Sequence, residues 1–168
     1  MPVFSDTFDG GGHTVSNRTI ALPTAEFTGF FARAYDAEIN HITLTEASVV
    51  GKAGTFYGIG GLIGRADNST ATNGPIPESG VSTSSYNCGG LIDFASATII
   101  YDSNAQIPVL GTGAGNCYGG LAGYATNLSR INCFATGNVS GGATGEAVSG
   151  LVGAIDSGAT DIIHYLNL

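Results

Sequence analysis

One phrase recurs along the chain at a nearly fixed interval. Gly60-Gly61-Leu62-Ile63-Gly64 is followed by Gly89-Gly90-Leu91-Ile92-Asp93, Gly119-Gly120-Leu121-Ala122-Gly123 and Ser149-Gly150-Leu151-Val152-Gly153. A weaker copy, Thr28-Gly29-Phe30-Phe31-Ala32, precedes them. The glycines before the large apolar residue stand 32, 29, 30 and 30 residues apart. A period of this size is the mark of a stack in which each unit buries its face against the next. One copy, at Asp93, has lost its last glycine.

A second phrase travels with the first: a strand of the form Ile-x-Cys/Tyr, then Val-x-Gly. It is clearest at Ile131-Asn132-Cys133 with Val139-Ser140-Gly141, and again at Ile99-Ile100-Tyr101 with Val109-Leu110-Gly111. Short β-rich runs between glycines predict strands joined by tight corners. The expected fold is all-β, a parallel β-solenoid of about five to six turns with a period of about 30 residues, in one domain over 1–168.

These residues resemble the GLUG-repeat family of bacterial surface adhesins and other secreted proteins. The Gly-Leu-x-Gly phrases and Ile131-Asn132-Cys133-Phe134-Ala135-Thr136-Gly137 carry the likeness, and the opening Phe4-Ser5-Asp6-Thr7-Phe8-Asp9-Gly10-Gly11-Gly12 looks like the segment that often precedes such repeats. The resemblance implies a right-handed solenoid outside the cell. Some relatives carry a metalloprotease domain, but this chain has no His-Glu-x-x-His. A repeat scaffold hosts many functions, so the likeness speaks to fold before activity.

Composition narrows the partners. Only 11% of residues are charged, against roughly 25% in ordinary globular domains. With Gly at 27 of 168 positions, the surface suits stacked strands rather than Lys- and Glu-bearing helices. A net charge of −8 with five basic residues argues against a nucleic-acid surface or adhesion to anionic lipid. No run approaches the roughly twenty apolar residues of a membrane helix. Met1-Pro2-Val3-Phe4 runs straight into the first strand, so any targeting segment is expected outside this numbering.

Along the chain, Asp9-Gly10-Gly11-Gly12 reads as a tight turn using positive φ. Phe27, Phe30, Phe31 and Tyr35 form an aromatic cluster that thickens the core of the first turn, or a carbohydrate-stacking surface. Gly58 to Gly64 lacks the lysine and hydroxyl of a phosphate-binding loop, so its glycines are read as corners. The polar, Pro-containing stretch 66–87 lacks the second phrase and is expected to leave the coil as an exposed loop, or to form a contact surface.

Cys88 precedes Gly89-Gly90 by one residue and Cys117 precedes Gly119-Gly120 by two. They therefore reach similar corners of successive turns, leaving a Cys88–Cys117 bridge open beside two separate thiols. Cys133 reads as a small buried hydrophobe. No metal site or cofactor is expected, since the histidines fall in different turns and no Cys-x-x-Cys occurs. Asn17, Asn68, Asn127 and Asn138 begin Asn-x-Ser/Thr sequons, with Asn68 the first choice for a glycan. The acidic residues do not recur at the repeat period. Asp93 and Asp156 come nearest, without a basic residue in register, so catalysis is not expected.

The chain enters and leaves in mid-motif. Val3, Phe4 and Phe8 at one end, and Ile162, Ile163, Tyr165, Leu166 and Leu168 at the other, are expected to be assembly surfaces. The leading expectation is an extracellular structural subunit stacking head to tail with copies of itself. The alternative is an adhesin module binding glycans or cell surfaces, and a polysaccharide-active enzyme ranks below both.

Overall fold

The computed structural model describes residues 2–51, 54–72, 75–77, 80–83, 85–111, 117–141, 147–156 and 162–163. Among them there are strands and no helix. The chain enters through β1 (Thr7–Ser16) and β2 (Thr19–Ala21). The next turn holds β3 (Phe27–Thr28), β4 (Phe31–Tyr35), β5 (Glu38–Thr45) and β6 (Ser48–Val50). Then come β7 (Gly54–Gly60), β8 (Ile63–Asp67), β9 (Thr70–Thr72), β10 (Pro75–Pro77) and β11 (Gly80–Thr83). The following turn holds β12 (Ser85–Gly89), β13 (Ile92–Ser96), β14 (Ile99–Tyr101), β15 (Asn104–Gln106) and β16 (Val109–Gly111). After it come β17 (Cys117–Gly119), β18 (Ala122–Thr126), β19 (Ser129–Ile131), β20 (Phe134–Ala135) and β21 (Val139–Ser140). Last are β22 (Ala147–Ser149), β23 (Val152–Ile155) and β24 (Ile162–Ile163).

Each strand pairs in parallel with its equivalent one turn away, which builds five sheets: β1-β5-β9-β14-β19-β24, β10-β15-β20, β2-β6-β11-β16-β21, β3-β7-β12-β17-β22 and β4-β8-β13-β18-β23. This is a β-solenoid of about four turns, counted from β3 to β22. The count falls below the expected five to six because β1–β2 and β23–β24 are parts of turns. Phe31, Ile63, Ile92, Ala122 and Val152 stand in one register column, at the same 32-, 29-, 30- and 30-residue steps as the sequence phrase.

Leu62, Leu91 and Leu121 of the phrase are fully buried, one above the other. The glycine pair before each is steric. A β-carbon on Gly89 would lie 1.9 Å from the Ile92 carbonyl oxygen, and one on Gly90 would lie 2.1 Å from the Gly120 oxygen. The first glycine therefore permits the sharp bend and the second permits close stacking of turns. Val-x-Gly has a parallel reason: Val49 and Val109 point inward, and Gly51 and Gly111 leave room for the side chains of Ile59 and Tyr118.

The corner after β4, β8, β13 and β18 is a column of left-handed residues, Asp36, Asn68, Ala97 and Asn127, at φ 49°, 47°, 47° and 51°. Asn68 donates to Asp36, and at the next corner Asn132 donates to Asp102 at 2.7 Å, so side-chain bonds climb the stack. The Asp9–Gly12 run uses positive φ as expected but does not end the strand. It lies inside β1 as a register shift, with Gly11 and Gly12 at positive φ opposite the left-handed corner at His41.

The described residues of 66–87 include strands of the coil where a loop was expected. Within them β9 pairs with β5 and β14, β10 with β15, and β11 with β6 and β16. Ala66 and Ala71, both fully buried, take the inward positions, so the ladder needs no Ile-x-Cys there. Turn length varies mainly in one connection. From Val49, Val81, Val109 and Val139 to Gly58, Asn87, Cys117 and Ala147 the steps are 9, 6, 8 and 8 residues.

Candidate functional site

The entry end of the stack is built from aromatic rings. Phe31 meets Phe4 at 5.2 Å, Phe8 at 5.2 Å and Phe30 at 5.3 Å between ring centroids. Phe4 is tied to β4 by bonds from its N–H to the Arg33 carbonyl and from the Tyr35 N–H to its own carbonyl, both 3.0 Å. The cluster thus takes in Phe4 and Phe8, while Phe27 packs under Arg65 and Tyr35 is exposed. An open hollow of about 290 Å³ lies beside Val3, Phe4, Phe30 and Phe31. Val3 is exposed. Among the described residues, β1, β2 and β3 are the terminal strands of their sheets and pair on one side only. At the far end Ile162 and Ile163 form β24 beside Arg130 and Ile131. Tyr165, Leu166 and Leu168 lie outside the described residues.

The outer face of the β4–β23 sheet carries a ladder. Arg65 makes two bonds to Asp67, at 2.8 and 2.9 Å, and Arg33 reaches the same carboxylate at 3.3 Å. The Arg65 guanidinium lies 4.5 Å from the Phe94 ring centre, and Phe94 stacks on Tyr124 at 5.3 Å. Tyr124 donates to Asp156 at 3.1 Å. Partial burial first, then that hydrogen bond, raises the Tyr124 phenol above its ordinary value. Both faces of Phe94 are covered, so the ring ties turns together and leaves no open platform for a sugar.

Asp93 stands apart from Asp156. It occupies the last-glycine position of its phrase, where the chain doubles back from β12 to β13, and is buried. In two other arches a glycine on the outgoing strand lies against a residue one turn earlier, at its β-carbon or its backbone. The β-carbon of Gly64 would lie 3.0 Å from Phe27 Cβ, and that of Gly153 would lie 3.0 Å from the Cys117 carbonyl carbon. At Asp93 the arrangement is swapped. The facing residue is Gly58, where a β-carbon would lie 2.1 Å from Asp93 Oδ2. The lost glycine is therefore matched by one gained across the arch.

Cys88 and Cys117 are not bridged, and all three cysteines are buried thiols. The one-residue offset decides this. Cys117 is in register with Asn87, and Cys88 with Tyr118, so the two sulfurs leave opposite faces of the sheet. Burial, and then Asp93, push the Cys88 thiol well above its ordinary 9.0. Cys133 donates to the Ile100 carbonyl at 3.4 Å. The sequon residues Asn17, Asn68, Asn127 and Asn138 are all exposed, and Asn68 is engaged with Asp36.

Arg130 escaped the sequence reading. It occupies the inward column that Phe8, Ile39, Ala71 and Ile100 fill in earlier turns, and it is buried. Burial lowers the guanidinium pKa from its ordinary value. Its place in the phrase Arg130-Ile131 is shifted one residue from Ile99-Ile100, the only signal that could have shown it.

No protein-family model matches the chain, and neither a curated protein nor a solved structure matches it. The likeness to GLUG repeats rests on the phrases quoted above.

Proposed function

We propose that the chain is an extracellular structural protein whose solenoid stacks head to tail with further copies into a filament. The observation that carries this reading is that, among the described residues, β1, β2 and β3 pair on one side only in three parallel sheets at the aromatic end. Parallel sheets repeat by translation along the stack, so an edge at one end is complementary to the edge at the other. A second copy displaced along the axis would add strands to all three sheets at once and cover Val3 and the hollow beside Phe4. Contact between unlike ends does not close, and so propagates. The low-charge surface and the GLUG likeness support a place outside the cell.

The test exploits the direction of one N–H. Ser48 donates to the Arg18 carbonyl at 2.8 Å, so residues 18 and 20 face β6 and the Thr19 N–H faces outward. Thr19→Pro removes an outward donor and leaves the inner ladder intact. Electron microscopy and sedimentation over a concentration series should show filaments for the wild type and single particles for the variant. Single particles of the wild type at every concentration would overturn the proposal.

A further inference from the structure

We propose that Asp93 carries a proton in the folded solenoid at neutral pH, and that this proton holds the arch between β12 and β13 closed, so that the fold loosens as pH rises. The inference is independent of whether copies stack.

The geometry leaves few ways to accommodate a carboxylate here. Asp93 is 1% exposed, and among the described residues neither carboxyl oxygen has a hydrogen-bond partner. A buried carboxylate without partner or counter-charge is among the costliest groups a fold can hold. Among the described residues the elements packed against it bring no counter-charge to the carboxyl: Arg65 of β8 is engaged on the outer face, bonded to Asp67 and lying over Phe94. β7 presents Gly58, β12 presents Cys88, and β18 presents Gly123. Cys88 is the one titratable group facing the carboxyl among the described residues, and it is acidic rather than basic.

Among the described residues no group of His, Cys, Asp or Glu side chains gathers around the carboxyl as metal ligands would. Hard cations take six or more oxygens at about 2.0–2.6 Å. Here Oδ2 abuts Gly58 and Oδ1 abuts Gly123, where added β-carbons would come within 2.1 and 2.3 Å. A proton is the cation that fits. Burial agrees, since it drives the Asp93 carboxyl well above its ordinary 3.8.

The sign follows from linkage. Below the unfolded value of about 3.8 both states hold the proton, and stability from this site is complete. Above it the unfolded chain gives up the proton while the folded chain keeps it, so stability falls as pH rises until the folded pKa is passed. Asp9 works in the opposite sense: the Gly11 N–H first, then His41, hold its carboxyl below 3.8.

Asp93→Asn keeps the shape of the protonated acid and removes the titration. The ratio of the unfolding constants, wild type over Asp93→Asn, should rise about tenfold per pH unit above the unfolded value, or about 1.4 kcal/mol per unit. Asp9 and the other carboxylates cancel in this ratio. A direct readout needs no unfolding: infrared spectra of protein carrying carboxyl-labelled aspartate should show a protonated carboxyl band at pH 7 that Asp93→Asn lacks. If Asn does not fold, Asp93→Gly, the residue of the neighbouring turns, takes its place. A flat ratio, or the absence of that band from wild-type protein at pH 7, would overturn the proposal.

Discussion

The swap between Gly58 and Asp93 makes a quantitative prediction. Gly58→Ala places a methyl carbon 2.1 Å from Asp93 Oδ2, well over 1 Å inside ordinary contact. Neither side can retreat, because Gly123 closes the space at the other oxygen. Overpacking of this kind destabilises by about 1–3 kcal/mol. Asp93→Gly recreates the arrangement of Gly64 against Phe27, in which the outgoing strand has no side chain. In that background Gly58→Ala should cost less than about 0.5 kcal/mol, giving a coupling of about 0.5–3 kcal/mol in the double-mutant cycle. The assay is urea unfolding of the four proteins at one pH, so that titration of Asp93 enters both corners that contain it. A kilocalorie per mole also moves the melting temperature by about 2–4 °C for a chain of this size. If the two substitutions prove additive, the facing positions are not a packing pair and the reasoning about the arch fails.

Three further outcomes are expected. Leu91→Ala, at the fully buried middle of the leucine column, should cost about 2–5 kcal/mol in urea unfolding. Ala97 holds φ 47° where its neighbours up and down the stack are Asn68 and Asn127, so Ala97→Asn should stabilise the fold by roughly 0.5–1 kcal/mol in the same measurement. Cys88, Cys117 and Cys133 are buried thiols, so all three should react with a thiol reagent in denaturant and resist it when folded, with no reductant needed to reveal them.

The period was legible because it is enforced by sterics at single atoms. Gly60, Gly89 and Gly119 recur because at each a β-carbon would strike the carbonyl three residues on. The path of residues 66–87 was not legible for the opposite reason. Pairing in this stack is a backbone property that Ala66, Ala71 and short polar strands satisfy as well as isoleucine does. The cysteines show the limit of reading by spacing. An offset of one residue is small along the axis but reverses the face, and the register of Cys117 with Asn87 is invisible until the strands are paired.

Asp93 was visible as an exception without a visible meaning, and Arg130 was not visible at all. Each interrupts a column that the other turns fill with small or apolar residues, and each is buried. For Asp93 the compensating residue is Gly58, 35 positions earlier rather than one period of 29, because the contact crosses the arch as well as the turn. A search at the repeat period alone pairs Asp93 with Gly64 and Gly123, its neighbours in the column, and misses the residue that makes room for it. In a solenoid with sharp arches, the informative spacing for an exception is therefore the period plus the span of the arch. At that spacing, loss of a glycine on one strand is read together with gain of one on the other.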